Sequence, residues 1–119
     1  MGYRVVRLGF FEKQLKDIYL KYSRAKDHIE SVINNLTPQH GDNCTGYGGN
    51  QIRKLRIGLK SYKIGKSGGL RLLFLVLPPK VWIIPINIYS KVGFRSEEKV
   101  KSETKEALKQ VLKEIDSIS

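Results

Sequence analysis

The sequence predicts an α+β domain, in the order β-α-α-β-β-β-α, with a helical hairpin and a C-terminal helix packed on a small, mainly antiparallel sheet. Three observations predict it. Two stretches near the start carry apolar residues at helical spacing, three strand-like segments fill the middle, and the chain ends on one more helical stripe. At 119 residues the chain suits a single domain spanning 1–119, since a second core would be too small to hold itself together.

Residues 3–8 alternate in part and are rich in β-branched residues, which predicts a short first strand. Phe11, Leu15, Ile18, Tyr19 and Tyr22 then recur at helical spacing, and Ala25, Ile29, Val32, Ile33 and Leu36 do so again. Ser23 is a break and N-cap between the two helices, and Thr37-Pro38 closes the second. From Gln39 to Asn50 the sequence has Gly, Asn, Asp and His without periodicity, and reads as a loop.

Residues 52–60 alternate, with Arg53, Leu55, Ile57 and Leu59 on one side and Lys54, Arg56, Gly58 and Lys60 on the other. Residues 70–77 and 81–89 are nearly continuous apolar runs, as expected of strands buried on both faces, and Pro78-Pro79-Lys80 is short enough to join them as a hairpin. Pro85 has no N–H to give a central ladder, so it predicts a bulge or an unpaired position. After Ser96, a suitable N-cap, the residues Val100, Ala107, Leu108, Val111, Leu112, Ile115 and Ile118 stripe a final helix, with Glu97 and Glu98 at its positive end.

The charge is unevenly placed. Between Asp42 and Glu97 there is no acidic residue, yet Arg53, Lys54, Arg56, Lys60, Lys63, Lys66, Arg71, Lys80, Lys91 and Arg95 all lie there, nearly the whole of the net +11. Such a field attracts a polyanion. The cations fall on strand-like and loop-like sequence rather than on an amphipathic helix, which favours nucleic acid over a membrane surface. The longest apolar run, Leu72–Leu77, is far short of the roughly 20 residues a membrane span needs. No apolar signal segment opens the chain, and the single cysteine, Cys44, makes no internal disulfide, so a cytoplasmic location is expected.

Several motifs have bland readings beside sharper ones. Gly65-Lys66-Ser67-Gly68-Gly69 resembles part of a phosphate-binding loop, but Lys60 stands where that motif needs its first glycine and a strand follows instead of a helix. The loop could still bring N–H groups, Lys63 and Lys66 to a phosphate, or be a plain hairpin connection. His28, His40, Cys44 and Asp42 make a poor metal set, and no metal is assigned. Tyr62 and Tyr89 lie at strand ends among cations, where each could stack on a base or simply pack.

Arg53-Lys54-Leu55-Arg56 on one strand, Gly65-Lys66-Ser67-Gly68-Gly69-Leu70-Arg71 opening the next, and Ile88-Tyr89-Ser90-Lys91 ending the last resemble the RelE/ParE superfamily of bacterial toxins, and look most like its HigB-type branch. The resemblance spans roughly residues 5–115. It implies the toxin of a type II toxin–antitoxin system: a ribonuclease independent of metals and cofactors that cuts mRNA on the ribosome and is held inactive by a cognate antitoxin. By position, Arg56, Lys60, Arg71 and Lys91 would be its catalytic residues, with Arg53, Lys54, Tyr62, Lys63, Lys66, Tyr89 and Arg95 binding RNA. Two other readings remain open: a ParE-like inhibitor of DNA gyrase, and a noncatalytic RNA- or ribosome-binding module.

Overall fold

The computed structural model describes residues 2–91 and 96–118, without the side chain of Ile118. Arg95, one of the RNA-binding candidates, and the Ile118 side chain therefore lie outside the described residues. The elements are β1 (Arg4–Val5), α1 (Gly9–Lys21), α2 (Lys26–Asn34), β2 (Asp42–Cys44), β3 (Gln51–Ile57), β4 (Leu70–Leu77), β5 (Trp82–Ser90) and α3 (Glu97–Ile118). The five strands form one sheet in the order β1-β5-β4-β3-β2, with β1 parallel to β5 and every other pair antiparallel.

The apolar runs in β4 and β5 are explained by helices on both faces. On one face Phe11, Leu15, Ile29 and Ile33 of the helical hairpin pack against Leu72, Phe74, Val76, Ile83 and Ile88. On the other, Val100, Leu108, Val111 and Ile115 of α3 pack against Leu73, Leu75, Ile84 and Ile86. Burial of each such side chain contributes about 1.5–3 kcal/mol relative to leaving it in water. Alternation along β4 thus feeds two cores in turn.

Pro85 has the predicted effect. The β4–β5 register shifts between Leu73, paired with Asn87, and Phe74, paired with Pro85, so Ile86 is the extra residue of a bulge. The bulge is held from both sides. Gln14 of α1 donates to Asn87 Oδ1 at 2.7 Å and accepts the Ile88 N–H at 3.0 Å, while Asn87 Nδ2 donates to Thr104 Oγ1 of α3 at 3.1 Å. The Ile88 N–H beside the irregular ladder thus finds a side-chain partner. Ser96 caps α3 as expected, its Oγ accepting the Lys99 N–H at 3.2 Å.

Four local expectations change. The first strand is only Arg4–Val5. Asp42–Cys44 inside the expected loop pairs with Ile52–Lys54 as an additional edge strand. Ser23 begins a short 3-10 turn, and α2 starts three residues later. Most consequentially, β3 ends at Ile57 rather than at residue 60. Leu59 and Ile64 form a separate bridge around a turn through Lys60–Tyr62, which closes on Lys63 with φ of 57°.

Candidate nucleic-acid interface

Three side chains form a row across the α3 face of the sheet. Arg56 of β3 stands opposite Arg71 of β4, and Arg71 stands opposite Tyr89 of β5; directly paired residues share a face. Lys54, two residues before Arg56, belongs to the same face. Lys101 of α3 adds a cation from above, its ammonium 5.8 Å from the centre of the Tyr47 ring.

The two arginines of the row are in different situations. Arg56 is exposed, and its guanidinium makes no hydrogen bond to another described residue. Arg71 is only 6% exposed. Its Nη1 donates to the Lys66 and Leu70 carbonyls at 2.9 and 3.3 Å, and its Nη2 to the Ser67 carbonyl at 2.8 Å. The fork is thus largely committed to the glycine-rich loop. Burial, and then the nearby Arg56 charge, push the Arg71 guanidinium below its ordinary pKa, although arginine stays cationic in proteins.

The loop that Arg71 holds is anchored on its other side by close backbone approach. A Cβ on Gly69 would lie 2.0 Å from the Ile57 carbonyl oxygen, so only glycine fits there. The Gly69 carbonyl accepts the N–H of Lys91 at 2.9 Å. This bond brings the main chain at Lys91, whose side chain is exposed, beside the loop and close in sequence to the row. The 65–69 segment is tied to β3, β4 and the end of β5.

Tyr89 is half-buried. Burial pushes its phenol upward, the Arg71 charge draws it back down, and Cys44, Tyr47 and Glu97 add smaller upward contributions. The face that is free of acids in sequence therefore has a carboxylate nearby in space, Glu97 of the first turn of α3. Neither Glu97 nor Lys101 was singled out as a site residue from the sequence. The available signal was their place on α3: both lie within four residues of Val100, which is buried against the sheet.

The remaining predicted residues are placed elsewhere. Arg53 is on the helical-hairpin side of β3 and its guanidinium binds the carbonyls of His40 at 2.7 Å and of Gly41, together with Asn43 Oδ1 at 2.7 Å. It holds the 39–43 segment. Tyr62 turns toward the hairpin as well, with the Arg24 guanidinium 4.4 Å from its ring centre and the Tyr22 ring edge-on at 5.2 Å. The Arg24 N–H donates to the Tyr62 hydroxyl at 3.1 Å and lowers its pKa. Lys60 and Lys63 are exposed in that same turn, off the end of β3, so Lys60 does not continue the alternation with Lys54 and Arg56. Lys66 is exposed on the glycine loop, with its carbonyl taken by Arg71.

Burial raises the Cys44 thiol, which disfavours the nucleophilic thiolate. Among the described residues no three His, Cys, Asp or Glu side chains gather as metal ligands would, and no helix is long and apolar enough to cross a membrane.

No family model and no curated protein matches the chain. Among solved structures it is similar to a crystal structure of the isolated E. coli RelE toxin, at 20% sequence identity and a TM-score of 0.39, over 92% of this chain and 99% of that one.

Proposed function

We propose that this chain is a RelE-like toxin, of HigB type, that cuts mRNA on the ribosome by metal-independent chemistry and is restrained by a cognate antitoxin. The observation that carries the reading is the Arg56–Arg71–Tyr89 row, an exposed cation beside a buried one and a phenol on a single sheet face. The motif resemblance in Arg53–Arg56, Gly65–Arg71 and Ile88–Lys91 supplies the biological context.

RNA provides its own nucleophile. The 2′-oxygen attacks the adjacent phosphorus, the bond from phosphorus to the 5′-oxygen breaks, and the products are a 2′,3′-cyclic phosphate and a 5′-hydroxyl. Holding the attacking oxygen, phosphorus and leaving oxygen in line lowers the barrier by prepaid orientation. Negative charge builds on the phosphoryl oxygens, where Arg56 can donate two parallel hydrogen bonds and Arg71 contributes a fixed positive charge from a water-poor position. Tyr89 gives its phenol proton to the leaving 5′-oxygen and is re-protonated from water, to which the 2′-hydroxyl proton passes, while Lys91, one residue past the strand that carries Tyr89, adds positive charge beside the phosphate. Lys60, placed in the turn beyond β3, assists through charge alone.

The test is controlled expression followed by mapping of new 5′-hydroxyl ends, with translation running and with translation blocked. Wild-type protein should produce ends within translated messages, and Arg56→Ala and Lys91→Ala should each reduce them at least a hundredfold. Undiminished cutting by both variants would overturn the assignment. Loss of DNA supercoiling with intact mRNA would instead favour gyrase as the target.

A further inference from the structure

Beside the basic row lies a cleft that none of the chemistry above uses. The edge strand β2 covers β3 only as far as Lys54, leaving Leu55 to Ile57 as an open sheet edge. A cleft of about 500 Å³ runs between that edge and α2, within the size range of small-ligand sites. Its apolar floor is Val32, Leu55 and Ile57, and its polar rim is His28, Ser31, Asn35, His40, Arg56 and Lys66.

The rim is chemically biased. Asn35 Nδ2 donates to the Ser31 carbonyl at 2.7 Å, which leaves Asn35 Oδ1 as an acceptor. His40 Nδ1 accepts the Thr37 N–H at 3.0 Å, which leaves Nε2–H as the ring's donor. An acceptor and a donor over an apolar floor, with a lysine at the mouth, suit a flat heterocycle attached to a phosphate. Arg56 connects the two places, since it lines the cleft and also stands opposite Arg71 in the row.

From this we infer that the cleft receives one nucleobase of the bound RNA, the one next to the phosphate held at Arg56, so that the strand bends around the open edge of β3. The inference rests on the proposed RNA-cutting function and adds a base-binding subsite to it. Such a base is inserted between α2 and β3 while its phosphate stays on the α3 face, and its contacts with Asn35 and His40 give the protein a preference among bases that cations alone cannot give.

The experiment titrates isotopically labelled protein at low salt with 2′-O-methyl dinucleotides, which cannot be cleaved, and with the same dinucleotides lacking one base. The amide signals of Ser31 and Asn35 should move with the same saturation as those of Arg56 and Arg71. Removing one of the two bases should weaken binding roughly tenfold, as loss of a base contact does. Ser31→Trp fills the cleft from an exposed position; it should weaken the intact dinucleotide by a similar factor and leave the base-free one unaffected. Asn35→Ala, also exposed, serves as a second variant and should change the ranking of the four bases.

Shifts confined to the α3 face, with Ser31→Trp binding normally, would overturn the subsite while leaving RNA cleavage standing. If the wild type neither binds these dinucleotides nor cuts message in cells, the function and the subsite fall together. A third outcome, in which Ser31→Trp spares RNA but loosens a co-expressed antitoxin, would overturn the subsite and assign the open edge to a peptide.

Discussion

Arg56 and Arg71 oppose one another directly across β3 and β4, two cations where a sheet ordinarily places an apolar or oppositely charged pair. Like charges so placed cost stability, about 0.2–1 kcal/mol. Arg56→Gln should therefore raise the melting temperature by roughly 1–4 °C at low salt, and the gain should shrink as added salt screens the exposed member. The same variant should lose most RNA cleavage. Thermal unfolding at two ionic strengths measures the first effect and mapping of mRNA ends the second. A variant that is both less stable and fully active would contradict the division between folding and function assigned to this pair.

Arg71→Lys keeps the charge but not the fork. One ammonium cannot hold the carbonyls of Lys66, Ser67 and Leu70 in the arrangement the guanidinium gives them. The expected cost is about 2–3 kcal/mol, with faster amide hydrogen exchange concentrated in residues 65–69. Denaturant titration gives the size of the loss, and exchange gives its location. A loss spread evenly over the sheet would show that Arg71 supports the core rather than the loop.

Gly69→Ala tests the same loop without altering charge. Its Cβ would meet the Ile57 carbonyl at 2.0 Å; Ile57 is held in the β3–β4 ladder and Gly69 by the Lys91 N–H just before β4, so neither yields without shifting a strand. A destabilisation of about 1–3 kcal/mol or more is expected. Gly65→Ala, where a Cβ would meet nothing within 4 Å, is the matched control and should behave like the wild type in the same titration.

Much of this fold can be read along the chain, for reasons particular residues make plain. The runs through Leu70–Leu77 and Trp82–Ser90 are apolar at nearly every position because helices cover both faces, and Pro85 marks its bulge because its missing N–H is a local property. Asp42–Cys44 could not be read as a strand, since nothing in three polar or small residues favours one; it extends only because Ile52–Lys54 offers an open edge. The site is half legible. Alternation correctly puts Lys54 and Arg56 on one face, but whether an arginine is free or spent depends on carbonyls distant from any pattern. Arg53 and Arg71 look alike in sequence to Arg56, yet each has turned to a loop.

Far from the row, Arg7 clasps α2 to the start of α1. Its guanidinium donates to both carboxylate oxygens of Glu30 at 2.8 and 2.9 Å and to Glu12 at 3.0 Å, and the Tyr19 hydroxyl also donates to Glu30. The Arg7 hydrogen bonds hold the Glu30 carboxyl below its ordinary value. A depressed carboxyl contributes stability that is complete above its unfolded value, about 4.3, and that is lost as pH falls through the lower folded value. Glu30→Gln should cost about 1 kcal/mol at neutral pH, a modest figure because the pair is partly exposed. It should also flatten the acid limb of the stability curve, as followed by denaturant titration from pH 7 to pH 3. An unchanged acid limb would mean that other carboxylates govern acid unfolding.

Tyr89→Phe separates two uses of one ring. Burial raises the Tyr89 phenol above its ordinary value of 10.0, so the hydroxyl keeps its proton at neutral pH and can give it to a leaving oxygen. If it does, Phe should lower the cleavage rate by roughly 10²–10⁴-fold, while RNA affinity stays near that of the wild type because a phenyl ring stacks on a base about as well as a phenol does. If Tyr89 only stacks, Phe should leave both rate and affinity intact, and Tyr89→Ala should weaken affinity alone. The alkaline limb of stability provides a readout independent of RNA. A phenol whose folded value is raised loses its contribution as pH rises past the unfolded value near 10, so Phe should reduce the stability lost above that pH. Tyr47, whose burial raises its phenol in the same way, should supply part of what remains, and Tyr47→Phe would identify it. A normal rate with a flattened alkaline limb would keep the electrostatics of the row and remove Tyr89 from the chemistry.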